Sequence, residues 1–145
     1  MSSTWKNLVD KLNILQQKFI RVAQQIEQSK RNRPGVCGSW SPKQVVAHIS
    51  DWDKEVIRQF SLFQDGLEKA IEYDIDEFNK QSVKKRSHLS WEELIAELQQ
   101  VHGQFYQKAQ SISSEELSEN GEYKDWVEVQ IEHYIHHIKQ LESWV

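Results

Sequence analysis

Proline and glycine are scarce in this chain of 145 residues, which contains two prolines and five glycines. Folds rich in strands need frequent tight turns, and these two residues supply many of them. The apolar residues instead recur at spacings of three and four, which is the period of an amphipathic helix. The composition therefore argues against a β-rich domain and predicts an all-α fold.

Cysteine and long apolar runs are also nearly absent. The single cysteine, Cys37, cannot form an intrachain disulfide and has no adjacent cation to activate it, so we expect an inert thiol in a reducing cytoplasm. No apolar run approaches the roughly 18 residues of a membrane span, and “MSSTWKNLVDKL” at the amino terminus has no apolar signal core. We predict a single domain over residues 1–145, cytoplasmic and without a membrane partner.

An excess of positive charge is missing as well. The chain has 18 Lys and Arg against 22 Asp and Glu, which gives a formal net charge of -4. Nucleic-acid binders neutralise phosphates with clustered Lys and Arg. The nearest approach to such a cluster is “KKR” at residues 84–86, interpreted here as a solvated helix face or loop. No nucleic-acid partner is therefore predicted.

Four long amphipathic helices are predicted from the apolar spacing. The first carries a stripe from Trp5 to Ile26 and should end at “SKRNRPG”, where a proline and a glycine break the pattern. The second and third carry stripes over residues 45–63 and 94–112, and the last runs from about residue 124 to the end. Between the second and third we predict a loop and a short helix around residues 76–84. The simplest arrangement is a four-helix bundle with a crossover segment between helices 2 and 3.

Two capping boxes mark helix starts. In “SPKQ”, Ser41 can cap the second helix, Pro42 suits its first position, and Gln44 completes the box. In “LSWEEL”, Ser90 and Glu93 form the same motif before the third helix. These signals predict where both helices begin.

Three of the six histidines lie within “IEHYIHHIKQ”, residues 131–140. At 100° per residue, His133 and His137 lie one turn apart on one side of the last helix, beside Gln130. His48 lies at the edge of the stripe of the second helix, next to Trp52. Two imidazoles at i and i+4 with a third from a facing helix are a common way to bind zinc or a similar divalent ion.

The spacing alone leaves a second interpretation open, in which these histidines are polar edge residues bonded to their neighbours. His136 points away from the side of the helix that His133 and His137 share. The residue after His133 is Tyr134, so the HExxH signature of zinc proteases is absent and no general base is specified. No catalytic residue is predicted.

Weaker candidates for a pocket wall or for support of the ligands are Trp52, Glu55, His102 and Gln130. His102 lies within the stripe of the third helix, where a hydrogen-bonded core or pocket histidine is the simpler interpretation. Glu55 and Asp51 lie one or two turns from His48 and could orient a ligand, although solvated carboxylates would look the same in sequence. Some of the tryptophans could line a small-molecule pocket rather than fill the core.

Three segments carry a resemblance to a known family. “SWSPKQVVAHISDWDKEV” resembles the second helix of the DinB/YfiT-like superfamily, and “YDIDEFNKQSV” is similar to its crossover. “HYIHHIKQLESW” resembles its closing helix, in which two histidines four residues apart precede a terminal tryptophan. The closing pattern is also similar to the ClbS/DfsB-like branch, which includes self-protection proteins against reactive natural products.

The resemblance implies a four-helix bundle in up-down-down-up order, often a homodimer, that binds a divalent metal ion. The ligands it implies are one histidine of the second helix and two of the last, which here are His48, His133 and His137. Zinc or nickel is the expected ion.

Three functions follow from this resemblance. The first is a metal-dependent hydrolase or thiol-dependent transferase that acts on a small electrophilic molecule of unknown identity. The second is a small-molecule binding or self-protection protein for which metal is optional. The third is a non-catalytic dimeric bundle.

Overall fold

The computed structural model describes residues 3–67 and 73–145. These ranges contain helices and no strand, which confirms the all-α prediction. The helices in the described ranges are α1 (Ser3–Gln25), α2 (Pro42–Gln64), α3 (Ile75–Lys85), α4 (Trp91–Gln110), α5 (Ser114–Glu119) and α6 (Glu122–Glu142), and a 3-10 turn lies at Gln28–Lys30. The predicted crossover helix is confirmed as α3. Part of the loop predicted before it, residues 68–72, lies outside the described residues.

Helix α1 packs along α6, and α2 packs along α4. Contacts between the ends of these helices show in which direction each one runs. At the start of α1, the indole of Trp5 donates to the carbonyl oxygen of Ala109 at the end of α4 (2.9 Å). Phe60, near the end of α2, packs against Trp5, against Phe105 late in α4, and against Tyr123 at the start of α6. Helices α2 and α4 are therefore parallel to each other and antiparallel to α1 and α6, which is the up-down-down-up order.

Both predicted capping boxes are present. The hydroxyl of Ser41 accepts from the backbone N–H of Gln44 (3.2 Å), and the Gln44 side chain accepts from the backbone N–H of Ser41 (2.9 Å). Ser90 and Glu93 repeat this exchange at the start of α4. Because the box fixes where α2 begins, it also fixes the direction in which His48 points two turns later.

The helix ends differ slightly from the predictions. Helix α1 ends at Gln25, one residue before Ile26, which is buried just beyond the helix. Helix α6 begins at Glu122 and ends at Glu142, so it does not run to the end of the chain as predicted. The last residues cannot complete the i to i+4 hydrogen-bond pattern, and Trp144 instead bonds the carbonyl of Leu141 in a tighter turn.

One buried ion pair fastens α3 to the bundle. The guanidinium of Arg86 bonds Asp51 of α2 (2.9 Å) and Glu97 of α4 (2.6 Å), and Ser82 donates to the other oxygen of Asp51 (2.7 Å). Burial raises the pKa of Asp51, but the hydrogen bonds from Arg86 and Ser82 outweigh this, so the pKa lies below its ordinary value.

The interpretation of “KKR” as a solvated segment was therefore wrong for Arg86, which is only 5% exposed. A lone arginine at a helix end looks solvated in sequence because its two carboxylate partners are distant along the chain. Asp51 is likewise neither a solvated carboxylate nor directed at a histidine, since its oxygens are held by Arg86, Ser82 and Lys85. Among the described helices, none has the length and apolar character needed to cross a bilayer.

Candidate metal centre

Three imidazoles meet between α2 and α6. The Nε2 atom of His48 lies 2.7 Å from Nε2 of His133, which lies 3.0 Å from Nε2 of His137. Each of the three residues offers a ligand atom within 4.8 Å of the other two. These are the histidines selected by helix geometry and by the family resemblance. They meet because α2 and α6 are antiparallel, which brings the second turn of α2 beside the last turns of α6.

The cluster is buried on one side and accessible on the other. His48 and His137 are 4% and 3% exposed, whereas His133 is only partly buried. The indole of Trp40 packs against the imidazole of His48, with ring centroids 4.8 Å apart. Trp40 thus covers His48 from the loop before α2, and His133 is the least buried residue of the three.

A tight turn holds Trp40 in this position. The backbone N–H of Gly35 donates to the carbonyl of Trp40 (3.0 Å), and the N–H of Trp40 donates to the carbonyl of Cys37 (2.8 Å). Gly35 and Gly38 have φ values of 114° and 56°, which side-chain-bearing residues rarely adopt. Two of the few glycines in the chain therefore serve to close this turn over the histidines.

The hydrogen bonds of Gln130 determine the tautomer of His133. The Gln130 amide nitrogen donates to Asp53 (2.6 Å), so its oxygen is the atom 3.2 Å from Nδ1 of His133. An amide oxygen can only accept, so Nδ1 of His133 carries the proton. Its Nε2 consequently presents a lone pair to the centre of the cluster.

Gln140 acts on His137 in the same way. Its oxygen lies 2.7 Å from Nδ1 of His137, while its amide nitrogen faces Nε2 of His136 at 3.2 Å. In this arrangement Nδ1 of His137 is the protonated atom, and its Nε2 lone pair also faces the centre. Metal-binding histidines characteristically donate the other ring N–H to an oxygen acceptor in this manner. Within the described residues, no hydrogen bond to Nδ1 of His48 fixes its tautomer.

The environment keeps all three rings neutral. Burial lowers the pKa of His48 to about 3, of His133 to about 2 and of His137 to about 4. The neighbouring His137 lowers the first two values further. Neutral imidazoles are the form that binds metal, so no proton has to be displaced from Nε2 of His133 or His137 near neutral pH.

The residues present fit a divalent metal ion. Imidazole nitrogens about 2.0–2.1 Å from a tetrahedral zinc ion lie about 3.3 Å from one another. The observed separations of 2.7 and 3.0 Å are a few tenths of an ångström shorter. The Nε2 lone pairs of His133 and His137 repel each other at 3.0 Å, and a cation between them would convert that repulsion into attraction.

Asp53 anchors this arrangement from the core of the bundle. It is 1% exposed and accepts hydrogen bonds from Gln130, from the hydroxyl of Tyr134 and, at 3.4 Å, from Gln16. Three donors from α1 and α6 compensate for the burial of its charge. Through Gln130, this carboxylate fixes the orientation of the His133 ring.

Sequence reasoning missed Asp53, although a signal for it exists. Asp53 lies four residues after Ile49 and three before Val56, which places it within the apolar stripe of α2. Gln16 lies between Leu12 and Phe19 in α1 by the same spacing. A polar residue at a stripe position is buried by the helix and therefore needs partners inside the bundle.

The weaker candidates lie in different environments. Gln130 contacts His133 directly, as described. His102 lies 2.9 Å from the hydroxyl of Tyr134 and 3.4 Å from Asp53, so it belongs to the core network around Asp53. Since the Tyr134 hydroxyl donates its proton to Asp53, Nε2 of His102 is the donor to the Tyr134 oxygen.

Glu55 and Trp52 lie one to two turns further along α2. The carboxylate of Glu55 accepts hydrogen bonds from Arg58, Gln59 and Tyr73, and its described hydrogen bonds do not include any of the three histidines. The indole of Trp52 donates to Asn79 of α3 (2.8 Å). Trp52 lines a cavity together with Tyr73 and Trp126, whereas the described lining of that cavity does not include Glu55.

Cys37 is closer to the cluster than its sequence position suggests. Cys37, His136 and His137 each offer a ligand atom within 4.8 Å of the other two. The sequence predicted an inert thiol because no activating cation adjoins Cys37 in the chain. It could not show the nearby histidines because about a hundred residues separate them from Cys37. The turn that positions Trp40 brings the thiol to the end of α6.

Comparison with known families and proteins gives one match. A family model described as the DinB superfamily matches residues 11–141, a range that contains all three histidines of the cluster. No curated protein and no solved structure matches the chain.

Proposed function

The chain belongs to the DinB superfamily, and we propose that it binds a divalent metal ion through Nε2 of His48, His133 and His137. We further propose that it is a metal-dependent enzyme acting on a small electrophilic molecule. The observation that carries the proposal is the convergence of three neutral imidazoles, two of which are held by glutamine oxygens with their lone pairs facing inward.

The type of ligand favours particular ions. Imidazole nitrogens suit zinc, nickel, copper and iron, whereas magnesium and calcium prefer oxygen ligands. We therefore propose zinc or nickel. Three protein ligands leave at least one coordination position open, which is typical of catalytic sites rather than structural ones.

The residues around the cluster have separate roles in this proposal. A bound divalent ion supplies Lewis acidity, which polarises a substrate or lowers the pKa of a water or thiol nucleophile. Asp53 and Gln130 hold the ring of His133, and Gln140 holds the ring of His137. Trp40 covers the ring of His48, so in this proposal a substrate approaches past His133, the least buried residue of the three.

Elemental analysis tests the metal site. Purified protein without an affinity tag should contain close to one equivalent of metal, and a His133→Ala/His137→Ala double variant should contain none while its helical circular dichroism spectrum persists. His88→Ala is the matched control, because His88 is exposed and lies just before α4. Absence of metal from the parent after reconstitution with zinc and nickel would contradict the proposal.

Activity assays test the reaction class. A panel of small esters, amides and alkylating electrophiles should be turned over with or without added thiol, and a chelator should abolish the turnover. Requirement for a thiol would identify a transferase, and turnover with water alone would identify a hydrolase. Turnover that continues unchanged in the metal-free double variant would contradict a metal-dependent reaction.

A second candidate function is binding or self-protection without a required metal, as in the ClbS/DfsB-like branch. The cavity lined by Trp52, Tyr73 and Trp126 favours it, because aromatic walls suit a small-molecule ligand. Ligand binding that persists after chelation, with no turnover, would support this function over the first. Assembly as a homodimer stays a prediction that sedimentation analysis can test.

A further inference from the structure

A separate cavity of about 370 Å³ lies beside the histidine cluster, between α2, the start of α3 and the start of α6. Its walls include the aromatic rings of Trp52, Tyr73 and Trp126 and the carboxylates of Glu122 and Asp125. Aromatic ring faces and carboxylates both attract positive charge, so this cavity favours a cation.

The three rings are arranged as a partial box. The ring centroid of Trp52 lies 5.4 Å from that of Tyr73 and 6.5 Å from that of Trp126, and Tyr73 and Trp126 are 5.9 Å apart. The planes of Tyr73 and Trp126 are nearly perpendicular, at 86°. Phe78 stacks on the indole of Trp52, with ring centroids 4.2 Å apart, so a group in the cavity can meet only the opposite face of that indole.

The chemical state of Tyr73 is fixed by its surroundings. Burial raises the pKa of Tyr73 to about 12, and its hydroxyl donates to Glu55 (2.9 Å). The phenol is therefore neutral at physiological pH, and its ring remains available to a ligand. The nearby cation Arg58 pairs with Glu55, and this carboxylate compensates its charge.

Two acidic residues line the cavity. Glu122 and Asp125 are exposed and lie one turn apart in the first turn of α6. The helix dipole accounts for acidic residues at such a position, but it does not account for the aromatic box next to them. Among the described residues that line the cavity, no cationic side chain balances these two charges.

We propose that this cavity binds an organic cation, namely a quaternary or protonated ammonium group attached to a small apolar body. The ammonium would lie against the rings of Tyr73 and Trp126 and the uncovered face of Trp52, in the cavity that Glu122 and Asp125 also line. Ile75 and Val129, which are 58% and 57% exposed, would contact the apolar body. A hydrated metal ion gains little from such a wall, whereas a weakly hydrated organic cation gains from both the rings and the charges.

The cavity lies close enough to the histidines to position a substrate. Trp52 follows His48 by one turn of α2, about 6 Å along the helix axis, and Trp126 precedes His133 by two turns of α6, about 10 Å. A ligand held by its cationic group could thus extend its other end to the histidine cluster. Assigning the cation as part of the substrate rests on the proposed function, whereas binding of the cation does not.

A matched pair of probes tests the proposal. Choline and 3,3-dimethylbutan-1-ol have the same shape, but the second has a neutral carbon in place of the ammonium nitrogen. In calorimetric titrations of the full chain we expect choline to bind saturably and at least about tenfold more tightly than the neutral analogue. Equal affinity for the two probes, or no saturable binding of choline, would overturn the proposal.

Charge and ring variants locate the binding. A Glu122→Gln/Asp125→Asn double variant should bind choline about fivefold or more weakly, and its affinity for the neutral analogue should not change. Glu142→Gln, which removes an exposed carboxylate at the other end of α6, is the matched control and should leave choline binding unchanged. Trp126→Leu should also weaken choline binding, and unchanged affinity in both cavity variants would place the cation elsewhere and overturn the assignment.

The same titration in the His133→Ala/His137→Ala double variant separates the two proposals. Choline binding should persist there even though the metal ligands are gone. If metal binding fails and choline binding persists, the metal proposal alone is lost. If metal binds in the parent protein and choline does not, the cation site alone is lost.

Discussion

Asp53 determines the local chemistry of His133 without touching it. The carboxylate orients Gln130, and Gln130 in turn fixes the proton of His133 on Nδ1. A buried charge of this kind would be costly without its three donors. Its position in an otherwise apolar stripe is therefore better explained by the alignment of His133 than by packing.

Removal of the Gln130 oxygen tests this relay. Gln130→Leu retains much of the side-chain volume but leaves His133 without an acceptor, so metal affinity should fall about 10- to 100-fold. Competition titrations with a metal-binding dye measure the change. Gln59→Leu is the matched control, since Gln59 is also buried but bonds Glu55 and Tyr73. A loss of affinity equal in both variants would indicate general destabilisation instead.

The three histidines also predict how stability depends on pH. Their pKa values in the folded chain are about 3, 2 and 4, below the ordinary value of 6.5. Below pH 6.5 the unfolded chain therefore binds more protons than the folded chain, so stability decreases as the pH falls from 6.5 towards these values. Each histidine that stays neutral in the folded chain lowers the free energy of unfolding by up to about 1.4 kcal/mol for each pH unit below 6.5.

Urea unfolding of metal-free protein at pH 7.5 and pH 5.5 measures this effect. We expect the free energy of unfolding to decrease by roughly 2–4 kcal/mol between the two conditions. The His133→Ala/His137→Ala double variant should show a much smaller decrease. Equal pH dependence in the parent and the variant would show that other groups are responsible.

At the scale of the helices, most helix boundaries could be predicted from the sequence. The side-chain contacts that hold one helix against another could not. The capping boxes at Ser41 and Ser90 and the apolar stripes are local patterns, and the structure confirms the helix starts that they predict. The fastening of α3 is not local, because Arg86 reaches Asp51 and Glu97 on two other helices. Charges that pair across helices look like ordinary solvated residues in the sequence.

Arg86→Met tests how strongly α3 is fastened. The variant leaves the buried carboxylate of Asp51 without its main partner, which should decrease the free energy of unfolding by about 3–5 kcal/mol. Chemical unfolding followed by circular dichroism measures it. Lys85→Met is the control, because the Lys85 side chain is 61% exposed and its pairing with Asp51 should contribute at most about 1 kcal/mol. Similar losses in both variants would contradict the assigned role of Arg86.

At the scale of the whole molecule, the order of the helices creates the candidate site. Antiparallel packing of α2 and α6 brings His48 beside His133 and His137, and it leaves Trp52 and Trp126 facing each other one to two turns away. Helical periodicity placed each histidine at the edge of a stripe, but it could not tell which stripes face each other. The up-down-down-up order that resolves this came from the family resemblance.

The same reasoning explains what remained unpredicted. Cys37 and Trp40 reach the histidines through an irregular turn, whose path has no periodic signal in the sequence. Asp53 and Gln16 did carry such a signal, since both occupy stripe positions, but their shared network depends on α1, α2, α4 and α6 together. Contacts within one helix were thus predictable, and networks across several helices were not.

A crystal structure of the zinc- or nickel-loaded protein, with anomalous diffraction measured at the absorption edge of the metal, tests the central claim most directly. The account predicts one anomalous peak per chain, about 2.0–2.2 Å from Nε2 of His48, His133 and His137. A peak held by Cys37, His136 and His137 instead, or no ordered peak in metal-loaded crystals, would contradict it.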